Sequence, residues 1–333
     1  MDANQLINSD NFPPTNDKLN VVDHISKFLG LAVSQLYLLC AFITCYEVIS
    51  RYVFDAPTQW AFETVMVLCA SAWMLSAGYI TLHRRHIGIT VIYIMMDKAK
   101  QWYLDLFAYV IGVIALWLFV DDTLVRAIES VMMTERAGSA WNSPQPLILK
   151  TMLVTGAMVY LTQLLVNLYR HFDSEIAKNI VSAVSAFIIF RIIMVFLEHT
   201  LELKGVIAIN EYLGSIAAYL EPTRYVDIRD IGIKWASILI VSLMVLLMMT
   251  GMPLGIVTLF VSILSALFYF GFNGLYLVST NAFGLLEAYP LIAVPLFVLM
   301  ASILEKAGVA EDLFDAMQIF AGKLRGGVAI QTI

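Results

Sequence analysis

Charge is what this 333-residue chain has least of: Asp, Glu, Lys and Arg make up 14% of it, against about 25% in an average soluble domain. The formal net charge of -6 is segregated by loop, so it bears on membrane topology and gives no basis for binding nucleic acid. Catalytic signatures are missing too. No HExxH, GxSxG, Walker or dinucleotide-binding glycine pattern occurs, which removes the common hydrolase, NTPase and dehydrogenase readings. Cys40, Cys45 and Cys69 lie inside apolar runs, without CxxC spacing or a histidine at ligand spacing. They read as small buried hydrophobes, not as a zinc or redox site. His24, His83, His86, His171 and His199 fall at span ends or in loops, the wrong places for axial haem ligands. The residues call for no metal and no organic cofactor. Transport, or scaffolding for a transporter, is what remains.

Apolar residues dominate instead. Hydrophobic residues are 60% of the chain and the mean hydropathy is +0.80. That length and composition leave room for about six to eight spans of about 20 residues. The stretch 51–86 sets the frame. Asp55, Ala56 and Pro57 make a polar turn, Trp60 and Glu63 lead into a long apolar run, and the run stops at His83-Arg84-Arg85-His86. An aromatic at one end and a basic cluster at the other is what a bilayer selects for. In the loop that follows, Arg84, Arg85, Lys98 and Lys100 face only Asp97. The positive-inside rule therefore puts this loop and the N-terminus in the cytoplasm and the 55–57 turn outside. The expected fold is all-α: a polytopic integral membrane protein with about seven transmembrane helices and a re-entrant or proline-broken segment.

In chain order, residues 1–25 lack a basic n-region and read as a disordered cytoplasmic tail. Residues 26–175 hold a four-helix unit with spans at 29–49, 61–82, 103–120 and 147–169, and a polar outer segment expected over 121–146. Glu47 precedes Arg51 by one helical turn. The favoured reading is an interfacial pair snorkelling into water, and the alternative is a structural or partner-facing ion pair. The apolar residues of the 87–96 loop imply a segment lying along the interface.

Residues 176–230 read as a linker: a span over 180–197, then an acidic outer segment. Val206, Ile209, Tyr212, Leu213, Ile216 and Leu220 recur there at helical spacing, as in an amphipathic surface helix. Arg191 lies inside the span. An intramembrane arginine is by default a candidate site, but its place near the outer end favours snorkelling towards Glu198 or lipid headgroups. Residues 231–250 and 253–270 are spans joined by a tight Gly251-Met252-Pro253 turn. NGLYLVSTNAFGLLEAYP is too polar and broken to read as a span. Residues 291–304 are short for a crossing and contain Pro295. This favours a re-entrant or broken segment at a substrate pathway over an ordinary kinked span.

Two separate stretches resemble one family. RYVFDAPTQWAFE, the span after it and HRRHIGITVI are similar to the small permease (Q) subunit of TRAP transporters, the tripartite ATP-independent periplasmic carriers. GMPLGIVTLF and YPLIAVPLFVLMASILEKAGVAEDLFDAMQIFAGKLRGGVAI resemble the opening of the large permease (M) subunit. Residues 291–299, Gly308 and Gly322-Lys323-Leu324-Arg325-Gly326-Gly327 stand at the matching positions. The order is that of fused Q–M permeases, with 26–175 as a Q-like unit and 231–333 as the N-terminal part of an M-like unit. Two departures stand out. Only Glu63 follows Trp60 where the family often has paired acids, and Ala301 replaces a glycine.

The resemblance implies a multi-pass permease of the bacterial inner membrane that takes up small organic anions, often carboxylates, by symport with sodium ion. It implies a periplasmic substrate-binding protein as partner, and a static scaffold role for the Q-like half. Pro290, Ala293, Pro295 and Ser302 are the candidate substrate-pathway residues. Glu47, Arg51, Trp60, Glu63, Arg84, Arg85, His86 and Arg191 are the structural or interface candidates. M subunits run well beyond the length of 231–333, so the chain is expected to act with the remainder of the large permease subunit. The rival class is a non-transporting membrane scaffold that docks a partner through its acidic outer segment. An ion channel ranks lower, because no filter motif is visible.

Overall fold

A computed structural model describes residues 20–201, 204–219, 232–288, 290–309, 312–313 and 316. In order the helices are α1 (Val21–Val53), α2 (Ala61–Leu82), the single turn α3 (Val91–Ile94), α4 (Lys98–Met132), α5 (Gln145–His171) and α6 (Glu175–Leu201). They continue with α7 (Lys204–Tyr219), α8 (Ile233–Met249), α9 (Leu254–Phe270), a 3-10 turn (Gly271–Gly274), α10 (Leu275–Leu286) and α11 (Pro290–Lys306). Among the described residues there is no strand, only an isolated bridge between Gly88 and Pro253. Six helical segments among the described residues are long and apolar enough to cross a membrane, and α8 is a shorter apolar helix. The all-α polytopic architecture read from the sequence is the one found.

Local chemistry explains where the helices begin and end. Asn20 donates its N–H to Asp23 Oδ2 at 2.7 Å, and this reciprocal capping starts α1 at Val21, inside the stretch expected as a tail. Residues 1–19 lie outside the described residues. Pro146 sits in the first turn of α5, where a missing N–H and a fixed φ do no harm. Helix α9 stops at Gly271, whose φ is +66°.

Two expectations need correction. The polar segment expected over 121–146 is helical as far as Met132. Asp122 and Arg126 pair at 3.1 Å on one face, while Leu124, Ala127 and Ile128 bury the other. The charges are thus satisfied on the helix and do not end it. Second, Pro295 does not break the C-terminal segment: α11 runs through it from Pro290 to Lys306. So early in the helix, proline removes a single intrahelical bond.

Helices α1, α2, α5 and α4 pack in that order as one layered unit, with α6 laid on α4 and α5 and α7 on α6. Helices α2 and α5 meet at Gly156, where an added Cβ would stand 2.5 Å from the Met74 carbonyl oxygen. Only glycine permits that approach. Helix α9 packs on α4, α10 crosses the far ends of α4 and α5, and α11 lies against α2 with a lighter touch on α1. Leu149, Leu161 and Val120 of the first unit and Ile256, Val257 and Ile263 of the second belong to one continuous buried core. The two units form a single packed body.

Candidate functional site at the junction of the two units

The end of the bundle that carries His83–His86, here the basic end, is where the units meet through their backbones. Helix α2 finishes at Leu82, and Arg84 (φ +51°) turns the chain back on itself. Thr81 Oγ1 donates to the Ala77 carbonyl at 2.7 Å and lies 2.8 Å from His86 Nε2. A hydroxyl has one hydrogen, already committed to Ala77, so His86 must carry its proton on Nε2 and donate to Thr81. The ring stacks on Tyr160 of α5, centroids 5.0 Å apart at 19°. Burial pulls the His86 pKa down to about 4, so the side chain stays neutral near pH 7.

From His86 the chain runs directly onto the second unit. The Ile87 carbonyl accepts the Leu254 N–H at 2.8 Å, and Gly88 bridges Pro253. The Tyr93 ring presses on Gly251, whose φ is +86° and whose added Cβ would come within 3.0 Å of Tyr93 Cβ. The Tyr93 hydroxyl donates to Asp105 Oδ2 at 3.1 Å; burial first, and Asp105 second, push its pKa up to about 12. Between these groups lies a cavity of about 190 Å³ lined by Thr81, Arg84, His86, Tyr109, Tyr160 and Gly251, among others. The Arg84 guanidinium stands 5.8 Å over the Tyr109 ring, and the buried Tyr160 hydroxyl has no protein partner.

A buried polar network stands behind this wall. Asp23, fully buried, takes an ion pair from Arg170. Gln163 Nε2 donates to Asp23 Oδ1 at 2.9 Å and its Oε1 accepts from Ser26 at 2.7 Å. Asn167 Nδ2 donates to the Thr81 carbonyl at 3.1 Å. Helices α1, α5 and α2 are thereby fixed to one another at the point where the loop to the second unit leaves. Satisfied groups of this kind specify one arrangement of a core.

The far end has its own junction. Arg126 Nε lies 3.1 Å from Asp122 Oδ2 and 3.0 Å from Ser279 Oγ, with its guanidinium 3.8 Å over the Tyr276 ring. Ser279 also donates to Asp122. Nearby, Glu135 accepts from Lys150 and from Ser130, each at 2.6 Å. Burial raises the Glu135 pKa, and these two bonds outweigh it to leave the carboxyl below its ordinary range. Arg126, Ser130, Glu135, Lys150, Tyr276 and Ser279 line an open cavity of about 360 Å³ between α4, α5 and α10.

The candidates named from the sequence fall unevenly on this geometry. His86 and Arg84 line the basic-end cavity, while Arg85 is exposed. Glu63 is buried and accepts a hydrogen bond from Ser143, so it pins the loop before α5. Trp60 caps α2 and stacks on Tyr46 at 6.1 Å.

Glu47 and Arg51 pair at 2.6 Å, but the second Glu47 oxygen accepts the Thr58 N–H at 3.2 Å. The pair closes the 54–60 turn and does not simply reach into water. Arg191 also departs from expectation. It donates to Asn210 of α7, which in turn donates to Glu198, and lies 3.6 Å from Asp121 of α4. A half-buried carboxylate and an amide that itself bonds Glu198 hold it to protein, in place of lipid headgroups.

Pro290 starts α11, Ala293 is half-buried, Pro295 lies in the second turn, and the exposed Ser302 hydroxyl donates to the Val298 carbonyl at 2.9 Å. Pro290, Ala293 and Ser302 line neither polar cavity. Cys40 and Cys69 are buried 3.5 Å apart, whereas Cys45 is exposed.

The junction residues missed in the sequence are Asp23, Gln163, Asn167 and Arg170 at the basic end and Arg126, Lys150 and Ser279 at the far end. The Asp122–Arg126 spacing was a visible signal. The others pair across distant helices.

Helices of membrane-spanning length, in two units joined at both ends of the bundle, define a multi-pass membrane protein. Residues 40–174 match the family described as tripartite ATP-independent periplasmic transporters, DctQ component, and residues 240–333 match the DctM component of the same transporters. The chain belongs to the TRAP transporter permeases and carries both components in one polypeptide. No curated protein matches it.

Proposed function

We propose that this chain is a membrane permease component of a sodium-coupled TRAP system that takes up small organic anions such as dicarboxylates, delivered by a periplasmic binding protein. It acts with the remainder of the large permease subunit. The observation that carries the reading is the DctQ match followed by the DctM match in one chain. The backbone junction at Ile87 and Leu254 supports it, because the components then act as one body. In this reading the basic end, with Arg84, Arg85, Lys98 and Lys100, faces the cytoplasm of the bacterial cell. The far end, with its Arg126–Tyr276 junction, faces the periplasm. The four-helix unit serves as fixed scaffold. Helix α11, with Pro290, Ala293, Pro295 and Ser302, begins the part that handles substrate.

The test is uptake of labelled succinate, malate and other small carboxylates by cells of the source bacterium with and without this gene in its natural locus, at high and low sodium. Loss of a sodium-dependent uptake on deletion, restored by the gene, is the expected result. Unchanged uptake of every carboxylate, with a partner protein still co-purifying on the chain, favours the scaffold reading.

A further inference from the structure

We propose that His86 is a positioning residue for the junction of the two units: held by Thr81 and Tyr160, it sets the Ile87 carbonyl and Gly88 against the Gly251–Leu254 turn. Three observations on different elements converge on it. Its Nε2 is fixed to α2 through Thr81 Oγ1 at 2.8 Å. Its ring is fixed to α5 by the stack on Tyr160. The very next residue then accepts the Leu254 N–H at 2.8 Å.

The wall that holds His86 is itself fixed. Thr81's carbonyl is bound by Asn167, which receives a bond from Gln163 at 3.3 Å, and Gln163 binds Asp23. Hydrogen bonds therefore link the start of α1, through Gln163, Asn167 and Thr81, to His86, whose next residue meets Leu254. By contrast Arg85, between Arg84 and His86, is exposed, and Ile87 has 81% of its surface exposed. His86 thus anchors this loop from within, beside Arg84 over the Tyr109 ring, and sets the backbone that meets the Gly251–Leu254 turn. The inference concerns the junction and holds whichever anion is carried.

Hydrogen–deuterium exchange of the purified full chain in detergent tests it, because the Leu254 amide is bonded across the junction. His86→Ala is expected to speed exchange over residues 250–256 about fivefold or more, a local opening of the size one lost anchor gives. Peptides from the α4–α5 core are expected to stay unchanged. His86→Gln, which retains a donor for Thr81, and His86→Phe, which retains the ring, are each expected to restore part of the protection. Thr81→Val in the native His86 background is expected to lose part of it.

Faster exchange confined to 82–96, with 250–256 at its native rate, overturns the proposal, since His86 would then order only its own loop. Uniformly faster exchange throughout the chain overturns it as well, as a general folding role. If His86→Ala does not yield folded protein, the Gln, Phe and Thr81→Val variants carry the same comparison. Native exchange over 250–256 in all three is the contradicting result.

Discussion

The Leu254 backbone N–H donates to the Ile87 carbonyl at 2.8 Å, joining the loop after α2 to the turn before α9. These residues belong to the DctQ-matching and DctM-matching parts of the chain. With Arg126 and Ser279 at the opposite end, the bond gives the two parts a contact at each end of α4.

Gly251 is the most exposed weakness of that contact to substitution. Its φ of +86° strains any side chain placed there, and an added Cβ would crowd the Tyr93 side chain at 3.0 Å. Gly251→Ala is expected to destabilise the folded chain by about 1–2 kcal/mol, read from detergent-phase denaturation. Unchanged stability would contradict the left-handed turn.

The Asp23–Arg170 pair makes a sharper case, because Asp23 is fully buried. Arg170→Ala leaves that carboxylate without its cation, and the expected loss is about 3–5 kcal/mol. Replacing both residues with apolar ones is expected to cost less than the sum of the single changes. A double-mutant cycle with no coupling would count against the pair.

Histidine titration supplies a pH test. Burial lowers the His86 pKa from 6.5 to about 4, so between those values the unfolded chain binds a proton that the folded chain refuses. Stability therefore rises with pH across that window: it is fully present above 6.5 and falls as the pH drops towards 4. Asp105, Tyr93 and Arg84 share the cavity and remain in place in the control. His86→Gln is expected to flatten this part of the profile, measured as denaturation midpoints against pH. A slope unchanged by the substitution would assign it to other groups.

Arg191 links α6 to both α7 and α4. Arg191→Ala is expected to release α7 first, seen as faster proteolysis and amide exchange over 204–216 with α4 and α5 unaffected. Removing a hydrogen-bonded charge from a half-buried site costs about 1–3 kcal/mol. Equal protection of α7 in the variant would show that α7 is held by its apolar face.

The helices were legible because apolar length and basic flanks are local properties of sequence. The joints were not. Asp121 and Asp122 looked like the start of a polar loop, since nothing in the sequence places Arg191 or Ser279 beside them. Arg191 was expected to reach towards Glu198 or headgroups; Glu198 is in its network, but through Asn210, which comes from a separate helix. His86 was visible as part of a basic cluster that marks topology. Its Thr81 bond and Tyr160 stack appear only once α2 and α5 are packed. Pro295 misled for the opposite reason, since its effect depends on how early in the helix it falls.

The central claim is that the two permease components form one body through a shared buried core, pinned at its ends by the Ile87–Leu254 and Arg126–Ser279 contacts. A specific protease site placed within 220–231, cut after purification in detergent, tests it most directly. The account predicts that the two fragments stay together through affinity purification of one of them, and that Gly251→Ala combined with Arg126→Ala lowers the denaturant concentration at which they part. Separation of the native fragments on cleavage would contradict it.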